Sequence, residues 1–138
     1  MDTTEKLAGE LHYRIAVSFC ETLNGLFDRF TASFSADMRA RRRLFNELVA
    51  HIPVEVFDRA AAKLLSARPA IGARDVEGLK AVALADDDVR KEGHLAASLL
   101  AEAFGLWDEM SKSDRRFVWR TVGVLVKECE SWAKYASA

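Results

Sequence analysis

The apolar positions of this chain recur every three or four residues from one end to the other. This spacing places side chains on one face of an α-helix, whereas a half-buried strand would alternate at every second residue. The first stripe predicts a long helix from Thr3 or Thr4 to about Phe34. Its members are Leu11, Ile15, Phe19, Leu23, Leu26, Phe30 and Phe34.

Helix start and stop signals divide the middle of the chain. Ser33 or Ser35 can cap a second helix from about Ala36 to His51, although a first helix that continues through residue 50 is an open alternative. Pro53 favours the first position of a third helix. We predict that the third helix ends by residues 68–69, that residues 66–74 form a loop, and that Asp75 caps a short fourth helix. The apolar face predicted for the second helix is Met38, Phe45, Leu48, Val49 and Ile52.

The last third predicts a helical hairpin. One helix should run from about Asp88 to Met110, and a polar turn, residues 111–114, should lead into the last helix with Ser113 as its N-cap. The stripe of the last helix is Val118, Val122, Leu125, Cys129 and Trp132. We expect Trp107 and Leu125 to be largely buried.

Composition agrees with these helices. The chain of 138 residues contains 22 Ala and 15 Leu, which favour helix, and only five Thr. This length suits one domain. We therefore predict a single all-α domain over residues 1–138, an irregular bundle of five to six helices with a long N-terminal helix.

Charge and terminal sequence bear on the compartment. The formal net charge is −1, which argues against a surface devoted to nucleic acid. The N-terminus lacks the pattern of a secretory signal, and charged residues interrupt every apolar run, so no membrane span is expected. We predict an intracellular, cytoplasmic protein, with the nucleus as the alternative.

Motifs of catalysis and metal binding are missing from the sequence. His12, His51 and His94 belong to three different predicted helices, and no phosphate-binding loop or nucleophile motif is present. Cys20 and Cys129 lie among apolar neighbours and beside acids, which predicts reduced core thiols with raised pKa. We assign no catalytic, cofactor-binding or metal-binding residue and no cofactor.

Four arginines in five residues are the main local anomaly. Arg39, Arg41, Arg42 and Arg43 spread around the predicted helix, so they cannot all point inward. Guanidinium groups suit phosphates and carboxylates, which gives a nucleic-acid contact, a contact to an acidic partner, or a nuclear-import signal. The alternative is a solvated face whose charges pair with acids such as Asp37 and Glu47.

Surplus apolar side chains suggest an interface. Phe27 and Val17 fall outside the stripe of the first helix, which predicts that a second chain covers them in a homodimer. Trp119 lies one residue from the stripe of the last helix, where its ring could sit at the rim of the bundle and anchor a partner. Phe27 and Trp119 are therefore the predicted interface residues.

The segment 106–125 resembles a pattern found in small helical proteins of large nucleocytoplasmic DNA viruses. The pattern is Trp-x-x-Leu, a short polar turn, and apolar-Trp-x-x-apolar-x-x-Leu, here carried by Trp107, Trp119 and Leu125. Met110 replaces the usual Leu, and Thr121 departs from the usual aromatic. The resemblance covers about 20 of the 138 residues and implies a virus-encoded, non-enzymatic protein made in the cytoplasm of infected cells.

The sequence thus predicts a non-enzymatic helical protein that acts through protein–protein contacts, as a viral structural or interaction protein. A nucleic-acid-associated protein that uses the arginine cluster is the first alternative. An enzyme whose site carries no recognisable motif is the second.

Overall fold

The computed structural model describes residues 3–137, apart from the side chains of residues 92 and 94–97. Within this range the chain forms eight α-helices and no strand. The helices are α1 (Thr3–Phe30), α2 (Ala36–His51), α3 (Pro53–Ser66), α4 (Arg68–Gly72), α5 (Val76–Ala85), α6 (Asp87–Glu92), α7 (His94–Glu109) and α8 (Lys112–Ala136), with a 3-10 turn at Thr31–Ser33 between α1 and α2. The all-α prediction and the long N-terminal helix are confirmed.

The described part of the chain has more helices than the five or six expected, for two local reasons. The predicted loop at residues 66–74 contains α4, which starts with Pro69 in its first turn, where the missing N–H is harmless. The helix predicted from Asp88 to Met110 is divided at Gly93, whose φ of 67° is incompatible with a continuous helix. The first helix also ends at Phe30 rather than Phe34.

Side-chain caps start four of these helices. Ser35 accepts a hydrogen bond from the backbone N–H of Met38, and Asp75 accepts one from Gly78, as the sequence predicted. Ser111, not the predicted Ser113, caps α8 by accepting from Asp114. The fourth cap is Asp86, which accepts from two N–H groups at the start of α6.

The core lies where α1, α3 and α8 meet. Phe19 and Phe57 are fully buried and pack edge to face, with ring centroids 5.1 Å apart. Leu125 of α8 completes this core and is buried as predicted. Smaller side chains fill the space between the helices: Ala16, Cys20, Ala61 and Cys129.

A second cluster attaches α4 to α8. Ala67 and Ile71 are buried against Val126, and Leu79 of α5 packs against the same cluster. Because α4 has only five residues, these apolar contacts rather than its own hydrogen bonds must stabilise it. The segment expected to be a loop is thus ordered by packing.

A histidine lies at the edge of the core. His12 stacks on Trp132 with ring centroids 4.2 Å apart, and its Nε2 lies 2.7 Å from Oδ1 of Asp58. These contacts join α1, α3 and α8 at one end of the bundle. No described helix is long and apolar enough to cross a membrane.

Candidate interaction surfaces

The start of α2 is fixed by a carboxylate from a distant helix. Glu102 of α7 accepts a hydrogen bond from the backbone N–H of Ser35 at 2.9 Å and a second one from the Ser35 hydroxyl. In a capping box this acceptor is a Glu or Gln at the third helical position, which here is Met38. Glu102 supplies the missing acceptor from 67 residues away, which attaches α2 to α7.

The inner face of α2 packs against α1 through one aromatic pair and one ion pair. Phe45 meets Phe27 edge to face, with centroids 5.6 Å apart. Arg42 donates hydrogen bonds to the carboxylate of Asp28 and to the hydroxyl of Thr31. The side chain of Arg42 is 17% exposed, so its stem is covered by protein.

The arginine cluster is consequently divided. Arg42 is committed to α1 and is not presented for a ligand, and its partner is Asp28 rather than the predicted Asp37 or Glu47. Arg41 is half-buried, whereas Arg39 and Arg43 are exposed. Arg43 makes no hydrogen bond or ion pair among the described residues. A contact by all four guanidinium groups would therefore require Arg42 to give up its contacts with Asp28 and Thr31.

A strip beside this inner face exposes three large aliphatic residues, two on α2 and one at its C-cap, which we call the outer stripe. Leu44, Leu48 and Ile52 are 49%, 40% and 40% exposed and follow each other at intervals of four residues. The sequence analysis placed Leu48 and Ile52 on the buried face of α2, and that assignment is wrong. The interval of four residues was the available signal, because it put Leu44 on the same line as these two.

Both interface residues predicted from the sequence pack against other aromatic residues of the same chain. Phe27 is half-buried under Phe45, so α2 of the same chain covers this part of the apolar surface of α1 that was assigned to a second chain. Trp119 is 9% exposed and packs edge to face on Trp107, with centroids 5.3 Å apart. The expectation that Trp119 lies at the rim is wrong, and of the two rings it is Trp107 that is half-buried.

A cleft of about 800 Å³ opens between α3, α5 and α6, with one residue of α7. Its floor is aliphatic, and Val82 on this floor is 36% exposed. The larger floor residues are Leu64, Leu79, Val82, Val89 and Leu100. Five charged residues line its edge: Arg59, Lys63, Asp86, Asp87 and Asp88.

Lys63 organises the charged edge of the cleft. Its Nζ lies 2.8 Å from both carboxylate oxygens of Asp86 and 2.8 Å from Oδ2 of Asp88. Burial works against the charged ammonium, but these hydrogen bonds prevail and raise the pKa of Lys63. The same contacts hold the pKa of Asp86 and of Asp88 below the usual range. Lys63 is therefore firmly protonated and unsuited to act as a nucleophile.

The two thiols are also unsuited to chemistry at neutral pH. Cys20 and Cys129 are buried, and burial raises the pKa of each to about 11, with a further contribution from the charge of Glu128. For Cys20 the acid that matters is Glu128 from α8, not the neighbouring Glu21. Among the residues described, no group of three or more His, Cys, Asp or Glu side chains is placed to hold a metal ion.

Comparison with protein-family models, with curated protein sequences and with solved structures finds no match to this chain. The resemblance of residues 106–125 to viral helical proteins stays a prediction. The two surfaces above, the outer stripe of α2 and the cleft, are therefore interpreted from their own chemistry.

Proposed function

We propose that this chain is a non-enzymatic protein that acts through protein–protein contacts, and that the outer stripe of α2 is its contact face. The observation that supports this proposal is the line formed by Leu44, Leu48 and Ile52. Single exposed aliphatic residues are common on protein surfaces, but a line of three at intervals of four residues is typical of a helix that packs against another helix.

The occupant that we propose for this face is α2 of a second copy, in antiparallel orientation. A two-fold dimer brings the same patch together with itself, so the patch must be complementary to itself. Arg43 and Glu47 lie one turn apart beside the stripe, and neither makes a hydrogen bond or ion pair among the described residues. In an antiparallel pair, Arg43 of each copy can approach Glu47 of the other, so opposite charges meet on both sides of the two-fold axis.

The test compares two exposed leucines. Leu48→Glu places a charge in the proposed contact and should raise the dimer dissociation constant by at least about tenfold. Leu84→Glu on α5 is the matched control, since Leu84 is 45% exposed and lies outside the stripe. Sedimentation equilibrium at micromolar to millimolar concentration measures both. A wild-type chain that remains monomeric over this range contradicts the second copy as the occupant, and equal effects of the two variants contradict the face.

Charge reversal tests the orientation. Arg43→Glu alone should weaken the dimer, because two carboxylates then face each other across the contact. Combining Arg43→Glu with Glu47→Arg should restore it, since both signs are exchanged. A double variant that is as weak as the single one contradicts the antiparallel arrangement.

Nucleic-acid association is the second candidate, and the exposure of Arg39 and Arg43 favours it. With Arg42 held by Asp28, at most three arginines can reach phosphates. The logarithm of affinity for duplex DNA should then fall against the logarithm of salt concentration with a slope of about −3. Fluorescence anisotropy with a labelled duplex measures it, and no binding at low salt removes this candidate.

The resemblance of residues 106–125 implies the same class of role, a virus-encoded structural or interaction protein. This part of the proposal rests on the resemblance alone. The intracellular location likewise rests on the sequence.

A further inference from the structure

The cleft between α3, α5 and α6 has the size and lining of a ligand-binding site. Its volume of about 800 Å³ lies within the range of small-molecule sites, roughly 300 to 1,000 Å³. Its floor is aliphatic, so a ligand must bring an apolar body to displace water from it. The charged edge then decides which polar group that ligand carries.

Some of the hydrogen-bond donors and acceptors at this edge already bind one another. The three N–H donors of Lys63 are all engaged, because its Nζ contacts both oxygens of Asp86 and one oxygen of Asp88. Oδ1 of Asp86 is also fully engaged, since it accepts from the backbone N–H groups of Asp88 and Val89 as well. An anionic ligand could bind Lys63 only by breaking these contacts.

The groups that remain free at this edge are of both signs, and the carboxylates outnumber the cation. Asp87 is exposed and makes no hydrogen bond or ion pair among the described residues. Oδ1 of Asp88 has no hydrogen-bond partner there either. Arg59, one turn before Lys63 on α3, is also exposed and makes no hydrogen bond or ion pair among the described residues, and its charge acts on Asp88. The edge holds three carboxylates against two cations, which leaves one negative charge in excess.

We propose that this cleft binds a small amphiphilic amine, with its apolar body on the aliphatic floor and its ammonium group at Asp87 and Asp88. The ammonium supplies the donors that these carboxylates lack. This site is independent of α2, so it does not depend on the contact proposed for the outer stripe.

Three probes of equal chain length separate apolar burial from charge: n-octylammonium chloride, n-octanol and sodium octanoate. Methyl shifts of Val82 and Leu79 in carbon–proton NMR spectra of the full chain report binding. Octylammonium should bind about fivefold to tenfold more tightly than octanoate, the size expected of a partly exposed ion pair, with octanol between them. No shift with any probe at millimolar concentration overturns the site, and equal or tighter binding of octanoate overturns the choice of an amine.

Two variants locate the parts of the site. Asp87→Asn should weaken octylammonium about fivefold and leave octanol unchanged, because only the charge at the edge is removed. Val82→Lys should weaken both probes, whereas Val124→Lys on α8, where the valine is 44% exposed, should weaken neither. Melting curves check that each variant is folded. Loss of octanol binding in Asp87→Asn, or equal effects of the two lysine variants, contradicts the proposal.

Discussion

Arg42 and Arg43 are adjacent in the sequence, but they should respond to substitution in opposite ways. Arg42→Ala removes two methylene groups of a mostly covered stem, worth about 1.5 kcal/mol. It also removes a hydrogen bond to Thr31 worth about 1 kcal/mol. The ion pair to Asp28 adds only about 0.5 kcal/mol, because that carboxylate is 69% exposed.

One contribution has the opposite sign. Nε of Arg42 is buried without a hydrogen-bond partner among the described residues, and deleting it returns about 1 kcal/mol. The expected net cost of Arg42→Ala is therefore about 2 kcal/mol, which lowers the melting temperature of a domain of this size by about 6–8 °C. Arg43→Ala should change stability by less than about 0.5 kcal/mol, since its side chain is exposed.

Urea unfolding followed by circular dichroism measures both variants. Both are made in the Leu48→Glu background, so that any dimer contributes nothing to the measured stability. A common slope against urea shows that the free energies can be compared. Equal losses in the two variants, or a larger loss in Arg43→Ala, would refute the assignment of Arg42 to the inner face.

Three further outcomes are expected. Ser111→Ala should cost about 1 kcal/mol in urea unfolding, whereas Ser113→Ala should cost almost nothing, because only Ser111 accepts the capping hydrogen bond; the reverse order would restore the cap predicted from the sequence. Trp107→Ala should cost about 2–3 kcal/mol, less than the loss of a fully buried ring, since Trp107 is half-buried; an unchanged melting temperature would show that its contact with Trp119 contributes little. Because the pKa of folded Asp86 lies below its ordinary value of 3.8, its stabilising effect is complete above that pH and is lost as pH falls through the folded pKa. Asp86→Asn should therefore flatten the fall of the urea midpoint between pH 5 and pH 2, and an unchanged profile would contradict this linkage.

The sequence by itself determined those features whose causes lie within about four residues. The helical class follows from the spacing of apolar positions, and the caps at Ser35 and Asp75 follow from side chains next to the N–H groups that they satisfy. Pro53 starts α3 for an equally local reason. The burial of the two cysteines was also predictable, because Cys129 lies in the apolar stripe of the last helix and Cys20 directly follows Phe19 of the first stripe.

Where several local candidates compete, the sequence did not choose between them. Ser111 and Ser113 are both acceptable N-caps, and the choice follows from where α7 ends and the chain turns. Arg115 contributes to that turn by donating hydrogen bonds to the carbonyl oxygens of Trp107 and Asp108. Gly93 could have been accommodated within a helix, but its positive φ places the start of α7 there instead.

Only the tertiary structure decided which side of each helix is covered. The sequence of α2 has apolar residues on two sides, and the rotation of α2 about its axis depends on Phe27 and Asp28 of α1 and on Glu102 of α7. The partners of Lys63 likewise lie 23 and 25 residues away. Periodicity defines a stripe but not the neighbour that covers it, because burial depends on the relative position of helices far apart in the chain. For this reason the outer stripe and the cleft could not be located before the helices were packed.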